Sequence, residues 1–508
     1  MRPSSFLAAS GLYLVQALAA QLPGARDGLV PSKFQEELSS LLSNTSIIIE
    51  PSDADWANAT ERYNTIVQPH VQLVVVPGEE WDIPTIAQKV QYANENNIEF
   101  YAVNRRHALT TSVGRFNGIE IDLGHLTRIT INSETQTARF QAGVYGQEVL
   151  EAMADAGYVT ATGTCSCVSI LGPALGGGHG NQQGVHGLTS DGIVNMNVVL
   201  ANGTAITVSE SSHADLWWAM RGAGHNFGIV TSFEAKIYPD NNTYYYRTYE
   251  FTGNQLEPLF EAINELHNNG TLSTKWLGTF GVFTIDATVS ETEATIVWVF
   301  IYAGPAAEAV PLFEPFDSLD PVSLVEGNIP YKEINDAMGG GIDSPLCAPN
   351  RTHVIGTAGL QVYNITTERQ IYDLFNRKVA EYPELGGTRV LHEGYAVKGV
   401  RDIPAEDSAY PLRDDYLLMY FDATPLPDSG LEDFAKTWAR ETVDLWNAGQ
   451  PERRPTAYVN YAAGWESLEA MYGYEPWRLE RLRSLKAQYD PDNRFSYYNP
   501  IIPPTNRA

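Results

Sequence analysis

The segment that most constrains the fold is the glycine-rich stretch TGTCSCVSILGPALGGGHG at residues 162–180. Without side chains, a backbone can turn tightly and bring its N–H groups close to a flat or anionic ligand. A mobile surface loop has a similar composition, but apolar β-branched residues flank this one. It matches neither a Walker A loop nor a G-x-G-x-x-G fingerprint. The stretch therefore favours a nucleotide site of another kind, built on Gly172, Gly176, Gly177, Gly178 and Gly180.

The composition limits the class of protein and its partners. The chain has 508 residues, of which 44% are hydrophobic and 19% charged, which is typical of a globular protein of two or three structural units. Lys and Arg total 33 against 61 Asp and Glu, a net charge of -28. This charge disfavours nucleic acid and anionic membrane surfaces as partners. A small neutral or cationic substrate is expected.

The N-terminal segment predicts secretion. Residues 1–20 contain one Arg, an apolar run from Phe6 to Val15 and small residues ending in ALAA, the layout of a cleaved signal peptide. The apolar run is too short to anchor the chain in a membrane. Asn-X-Ser/Thr sequons, which are compatible with a glycosylated secreted protein, occur at Asn44, Asn58, Asn202, Asn241, Asn269, Asn350 and Asn364.

The chain has three cysteines, and two of them, Cys165 and Cys167, are one residue apart. Such neighbours do not easily pair with each other, because a disulfide needs a particular separation and direction of its two Cβ atoms. We expect Cys167 to be a small buried residue and leave the partner of Cys347 open. The histidines His179 and His186 and the cysteines lack zinc-ligand spacing, so no metal is predicted.

Hydrophobic patterning predicts the order of elements. Residues 71–104 form a strand, helix, strand unit, and Asn202-Gly203 joins two strands of a hairpin. After Pro239 the pattern changes, and residues 244–460 alternate strand-like and helical runs, as in an α+β domain with an antiparallel sheet. The tail holds a basic-faced helix that ends before Asp490-Pro491.

Two further stretches carry potential chemistry. In FYAVNRRHALTTS, the adjacent guanidiniums of Arg105 and Arg106 suit pyrophosphate binding, and His107 follows them. In SHADLWWAMRGAGHNFGIVTSFEAKIYP, residues 212–239, a short apolar helix leads through a glycine-rich turn into a strand. By itself this second stretch indicates only a helix, turn, strand unit.

Taken in order, the three stretches resemble the FAD-binding domain of the vanillyl-alcohol oxidase superfamily, specifically the berberine-bridge-enzyme-like oxidases. The segment DLWWAMRGAGHNFGIVT matches that family almost residue for residue, and residues 459–495 resemble its closing segment. The resemblance implies an α+β fold, in which a two-part FAD-binding domain of the PCMH type holds an inserted antiparallel-sheet substrate domain covered by helices. The implied segments are 1–20 signal peptide, 21–66 N-terminal segment, 67–240 FAD-binding domain, 241–455 substrate domain and 456–508 C-terminal return.

The resemblance also implies a flavin attached at two points. His107 falls on the histidine that bonds the flavin 8α carbon, and Cys165 falls on the cysteine of the 6-S linkage. Cys167 stands where the family usually has Thr. Arg105 and Arg106 replace the two glycines before the histidine and are expected to contact phosphate instead. Further expected FAD contacts are the glycines named above with Asp191, Gly228, Ile229, Val230 and Asn460.

The family's active site places side chains of the YVNY segment above the flavin, so Tyr458 and Tyr461 are the predicted catalytic residues. A phenol has an unperturbed pKa near 10, so a tyrosine base would need a lowered pKa. The opposite wall is expected from the strand around YLLMYFDA, with Tyr416, Met419, Tyr420 and Asp422 as candidates. Ile170 occupies the position that tunes oxygen access in plant relatives.

The implied function is a secreted FAD-dependent oxidase that removes hydride from an alcohol or amine carbon of a carbohydrate or natural-product intermediate, with O2 as acceptor. One alternative is an FAD-linked dehydrogenase with a different acceptor. A second alternative is a flavin-carrying binding protein with little turnover. The sequence does not indicate an oligomeric state or the substrate.

Overall fold

The N-terminal half of the chain builds two larger sheets and one two-stranded sheet. In the computed structural model the described residues are 32–93 and 98–502, so the predicted signal peptide lies outside them. The strands up to residue 239 are β1 (Ile47–Ile49), β2 (His70–Val76), β3 (Glu99–Val103), β4 (Asn117–Asp122), β5 (Ile129–Asn132), β6 (Thr137–Gln141), β7 (Tyr158–Val159), β8 (Ile193–Val199), β9 (Ala205–Ser209), β10 (Ile229–Lys236) and β11 (Tyr238–Pro239).

The first sheet has the order β1-β2-β4-β3, and its last three strands run parallel. The helix Asp82–Ala93 follows β2 and precedes β3, as a parallel connection requires. The second sheet, with the order β5-β6-β10-β8-β9, is antiparallel. Its β8–β9 hairpin turns at Gly203, where φ is 78°. The predicted unit and hairpin are both confirmed.

The second half forms one antiparallel sheet with the order β15-β12-β14-β13-β17-β18-β16. Its outer face is covered by the helices Leu256–His267, Ile365–Glu381 and Glu432–Ala448. Phe260 of the first helix packs edge-on against Trp298 and Phe283 of the sheet. The strands are β12 (Tyr244–Phe251), β13 (Trp276–Thr284), β14 (Thr295–Ala303), β15 (Ser323–Ile329), β16 (Val354–Leu360), β17 (Arg389–Gly394) and β18 (Leu417–Ala423).

The C-terminal helix Pro476–Tyr489 returns to the N-terminal half. Its Tyr489 hydroxyl donates to Asp215, and the buried Lys486 ammonium donates to Asp490 and to the Asn226 carbonyl. The helix ends before Asp490-Pro491 as expected. Not all of its basic side chains are exposed, because Lys486 is buried and donates to backbone carbonyls. The α+β prediction is confirmed.

A disulfide joins Cys167 to Cys347 across 180 positions of sequence. It fastens the loop that precedes β16 to the segment that precedes the glycine run. Cys167, expected to be a small buried residue, is instead partly exposed and disulfide-bonded, and it is the partner of Cys347 that the sequence left open. Cysteine spacing could not show this, because the bond depends on how distant parts of the chain meet. Within the described ranges, no helix has both the length and the apolar character needed to span a bilayer.

Candidate active site

A cavity of about 800 Å³ lies between the N-terminal half and the inner face of the seven-stranded sheet. On one side it is lined by the end of β3, the His107 turn and the segment that holds Cys165. The opposite side is formed by β13, β14 and β17. The C-terminal segment completes the wall with Tyr458, Asn460 and Tyr461. This cavity brings together residues from distant parts of the sequence.

The cavity wall contains buried polar atoms that have no hydrogen-bond partner in the described structure. They are Asn104 Oδ1, Thr162 Oγ1, His225 Nδ1 and Asn460 Oδ1. Buried polar groups in folded proteins are nearly always paired, so an unpaired set that lines one cavity indicates a polar ligand that pairs them. The donors and acceptors present fit a large polar cofactor such as FAD.

The glycine run has a different role from the predicted one. A Cβ on Gly176 would lie 2.3 Å from Asn460 Oδ1, one on Gly177 2.6 Å from the Tyr410 ring, and one on Gly180 1.8 Å from the Thr162 carbonyl. These residues and Gly178 do not line the cavity, and the N–H groups of Gly178 and Gly180 bond to Tyr458 and Gln183. The glycines let the protein pack closely against itself, which corrects the expectation of direct ligand contact.

The remaining predicted contacts divide into two groups. Gly172, Gly228, Ile229 and Val230 line the cavity. Asp191 is instead a buried structural carboxylate, which receives two hydrogen bonds of 2.9 Å from Arg413.

Arg105 and Arg106 form a turn in left-handed backbone conformation, with φ values of 54° and 53°. The Arg106 guanidinium donates to Glu120 at 2.9 Å and to Asp122. The Arg105 guanidinium lies over the Tyr145 ring, 3.8 Å from its centre. Arg106 is thus committed to two carboxylates and Arg105 to an aromatic face, which corrects the expected phosphate role. The two arginines here adopt the left-handed backbone conformation that is usually found at glycine.

His107 is the end of a stack of three rings. Tyr63 lies between His107 and His353, with both ring centres 4.2 Å away. His353 Nδ1 is 3.0 Å from both oxygens of Asp422. Burial lowers the pKa of His107 to about 4, and electrostatic interactions with His353 and Arg105 lower it further. His107 is therefore a neutral imidazole near pH 7, with a lone pair free for bonding.

Cys165 lines the cavity as a free thiol. Its Sγ lies 3.5 Å from that of Cys167 and 3.9 Å from that of Cys347. Burial raises the pKa of the Cys165 thiol, although the backbone N–H groups of Cys167 and Val168 oppose this. The protonated thiol is thus the main form near neutral pH.

The two predicted catalytic tyrosines lie at the cavity but do not have lowered pKa values. The Tyr458 hydroxyl accepts hydrogen bonds from the N–H groups of Gly178 and His179 and from Asn460 Nδ2. Burial nevertheless raises the pKa of Tyr458 to about 12 and that of Tyr461 well above 10. Neither phenol therefore has the lowered pKa that a tyrosine base would need, and the assignment of Tyr458 and Tyr461 as catalytic residues stays a prediction.

Glu393 on β17 is the site residue that sequence reasoning missed. It is 7% exposed and lines the cavity. Its carboxylate accepts hydrogen bonds of 2.9 Å from the hydroxyls of Tyr461 and Tyr395. Burial raises the pKa of Glu393 to about 7, although these two hydrogen bonds oppose the shift. A carboxylate within the strand-like run RVLHEG was the available signal, since buried acids are rare without a partner or a function.

The other predicted wall residues lie in several places. Tyr420 lines the cavity, whereas Tyr416 and Met419 do not. Asp422 pairs with His353. Ile170 is buried and does not line the cavity.

Comparison with known proteins agrees with this geometry. A family model for the FAD binding domain matches residues 71–209, and the model "Berberine and berberine like" matches residues 457–502. The FAD-linked oxidoreductase anuG of Penicillium roqueforti is 52% identical over 502 residues, which cover 97% of this chain and 98% of that protein.

Solved structures share the fold at lower sequence identity. Xylooligosaccharide oxidase from Myceliophthora thermophila, in complex with xylobiose, gives a TM-score of 0.77 at 22% identity, with 92% of this chain and 99% of that chain covered. Glucooligosaccharide oxidase from Acremonium strictum, studied for the roles of its 6-S-cysteinyl, 8α-N1-histidyl FAD, gives 0.76 at 22% identity, with coverage of 92% and 99%.

The fold and the matching segments define an FAD-linked oxidoreductase. The chain belongs to the berberine-bridge-enzyme-like branch of the vanillyl-alcohol oxidase superfamily.

The buried carboxylate of Glu120 should be essential for the His107 turn. Glu120→Gln removes a charge that lies between the guanidiniums of Arg62 and Arg106. We expect the free energy of unfolding to fall by about 3 kcal/mol, because the two arginines lose a buried counter-charge. Urea denaturation measures the loss, with Glu134→Gln on the exposed surface as the matched control. A Glu120→Gln protein as stable as the control variant would contradict this role.

Proposed function

We propose that the protein is a secreted oxidase with FAD bound through both His107 and Cys165. It removes a hydride from an alcohol or amine carbon of a small molecule, and O2 is the final acceptor. The observation that carries the proposal is Glu393. It is a buried carboxylate with a pKa near 7, held by two tyrosines on the wall that faces the side carrying His107 and Cys165.

FAD, when bound, supplies the acceptor for the hydride that leaves the substrate carbon. The residues that would hold it include Asn104, Thr162, His225 and Asn460, whose unpaired polar atoms need partners. Gly172, Gly228, Ile229 and Val230 add backbone and apolar surface to the same wall. The cavity lies between two walls of protein, the side that carries His107 and the inner face of the sheet.

Glu393 acts as the base that takes the substrate's hydroxyl or amine proton. A group with a pKa near the working pH is well suited to proton transfer, because it is partly ionised and still basic. The hydroxyls of Tyr395 and Tyr461 donate to its two oxygens and fix the carboxylate in place. Tyr461 contacts Tyr458 and Tyr420 and so continues the wall beside the base.

The two covalent attachments are supported by the states of the two side chains. His107 is neutral and so has a nitrogen lone pair available. Cys165 is left as the free thiol because Cys167 is bonded to Cys347. The glucooligosaccharide oxidase described above carries both kinds of linkage.

Secretion is supported by the N-terminal pattern of residues 1–20 and by the sequons. Every sequon asparagine is exposed, at Asn44, Asn58, Asn202, Asn241, Asn269, Asn350 and Asn364. A disulfide also favours an oxidising compartment.

The role of Glu393 predicts a pH dependence. The carboxylate form accepts the proton, so the rate of substrate-driven flavin reduction should rise as the pH increases through about 7, the folded-state pKa. Glu393→Gln cannot accept a proton, and we expect this rate to fall by roughly 10²- to 10⁴-fold. Anaerobic stopped-flow absorbance measures it, with the exposed Glu384→Gln as control. A Glu393→Gln enzyme that keeps the wild-type rate and pH profile would assign the base elsewhere.

The covalent proposal predicts that flavin colour stays with acid-precipitated wild-type protein. His107→Ala and Cys165→Ala should each retain flavin through the other bond, while the double variant should release it. Mass spectrometry of the two peptides gives the attachment directly. Flavin released from the wild-type protein would refute both bonds. Flavin released from His107→Ala would refute the bond at Cys165, and flavin released from Cys165→Ala would refute the bond at His107.

The acceptor is tested separately. Reduced protein mixed with air-saturated buffer should return to the oxidised spectrum fast enough to support turnover, and this is followed by stopped-flow absorbance. Reoxidation by O2 too slow to support turnover, together with fast reoxidation by an artificial electron acceptor, would overturn the oxidase proposal and favour a dehydrogenase.

A further inference from the structure

We propose that the substrate is an apolar small molecule with one anionic group, held by Arg389, and that it is not an oligosaccharide. This inference rests on the proposed function, because it names the substrate class of the same cavity. It depends on the inner face of the seven-stranded sheet, which lies opposite the predicted FAD wall.

The centre of that inner face is apolar, and the hydroxyl side chains of Thr248, Thr284 and Tyr420 line the cavity around it. In the register of the sheet, Phe280 pairs with Val299 on one side and with Glu393 on the other. Val282 pairs in the same way with Val297 and Leu391. Cross-strand partners share a face with their Cβ atoms close together. We call this set the apolar wall, and its members, all of which line the cavity, are Phe280, Val282, Val297, Val299 and Leu391.

The apolar wall suits hydrocarbon and does not suit sugar. A sugar carries hydroxyls on most of its carbons, and each buried hydroxyl without a partner costs about 1–3 kcal/mol. The wall side chains offer no donor or acceptor. Each buried CH₂ group, by contrast, stabilises the complex by about 0.8 kcal/mol. An aliphatic or aromatic body is therefore favoured against this surface.

Arg389 supplies a positive charge at one end of the wall. It begins β17, is half-buried and lines the cavity. Among residues 32–93 and 98–502, no carboxylate lies within ion-pair distance of its guanidinium and no group hydrogen-bonds to it. Its cross-strand partner Asp422 is bound to His353 instead. Arg106, the other arginine of this cavity, is held by Glu120 and Asp122. Arg389 therefore presents free donors to an anionic ligand.

Arg389 and Glu393 fix the orientation and size of that ligand. They lie four residues apart on one strand, so their side chains share a face with Cα atoms roughly 13 Å apart. Leu391 lies between them on the same face. A substrate that places its reacting carbon at Glu393 and its anion at Arg389 has an apolar body of less than this length.

Binding to the flavin-loaded protein tests the proposal, and oxygen is excluded so that decan-1-ol, which is an alcohol, does not turn over. Decanoate, decan-1-ol and xylobiose are titrated by isothermal titration calorimetry. For the wild-type protein we expect decanoate to bind at least about tenfold more tightly than decan-1-ol, because a charge-assisted bond is added to the same apolar contact. Xylobiose should bind more weakly than either. Arg389→Met should abolish the preference for decanoate and leave the affinity for decan-1-ol unchanged. Arg389→Lys should keep part of the preference for decanoate.

The matched control is Arg377→Met, which removes an exposed arginine on the outer helix Ile365–Glu381 and should leave all three affinities unchanged. Thermal unfolding checks that each variant is folded. If Arg389→Met does not fold, the affinities of Arg389→Lys are compared with those of the wild-type protein instead. The proposal is overturned if xylobiose binds most tightly, if decanoate has no preference over decan-1-ol, or if the Arg389 variants match the control. Failure of the proposed function is a different result, namely no flavin in the protein or no flavin reduction by any alcohol or amine.

Discussion

The buried carboxylate of Glu120 holds the part of the fold on which the candidate site depends. It lies on β4 with no exposed surface and bonds to Arg62 and Arg106. Arg106 occupies a left-handed turn, and His107 follows it directly. A charged pair that is fully desolvated is costly unless every partner is present, so this network tolerates only one arrangement of the turn. The position of His107 at the cavity follows from that arrangement.

The remaining walls are positioned by close packing. The glycines at 176–180 let this segment lie directly against Tyr410, Thr162 and Asn460, and the hydroxyl of Tyr458 bonds to its backbone. The C-terminal segment is thereby fixed beside the N-terminal half. The disulfide between Cys167 and Cys347 fastens a loop of the sheet domain next to Cys165. Both walls of the cavity are therefore attached to the same short stretch, residues 162–180.

Local patterns in the sequence predicted much of this fold. The strand-like runs of β2 and β8, the Asn202-Gly203 turn and the DLWWAMRGAGHNFGIVT segment can each be recognised from a few neighbouring residues. The Cys167–Cys347 bond could not be recognised in this way, because its two residues are distant in sequence. The pairing of Arg106 with Glu120 could not be recognised either, because it depends on how the strands come together in the fold. Glu393 was missed for the same reason. Its raised pKa comes from burial among Tyr395, Tyr461 and the sheet, and no spacing rule encodes burial.

The charge of the whole chain and the wall of the cavity favour different ligands. A net charge of -28 suggests a neutral or cationic substrate, because a long-range field attracts opposite charge. That field is screened over about 8–10 Å at physiological salt, whereas a guanidinium inside an apolar cavity acts at contact distance in a medium of low dielectric. In the proposed binding mode, the unpaired Arg389 beside Leu391 and Val282 acts locally and is little affected by the net charge of the chain. The net charge would then affect the rate of encounter, and the cavity wall would select which molecule stays bound.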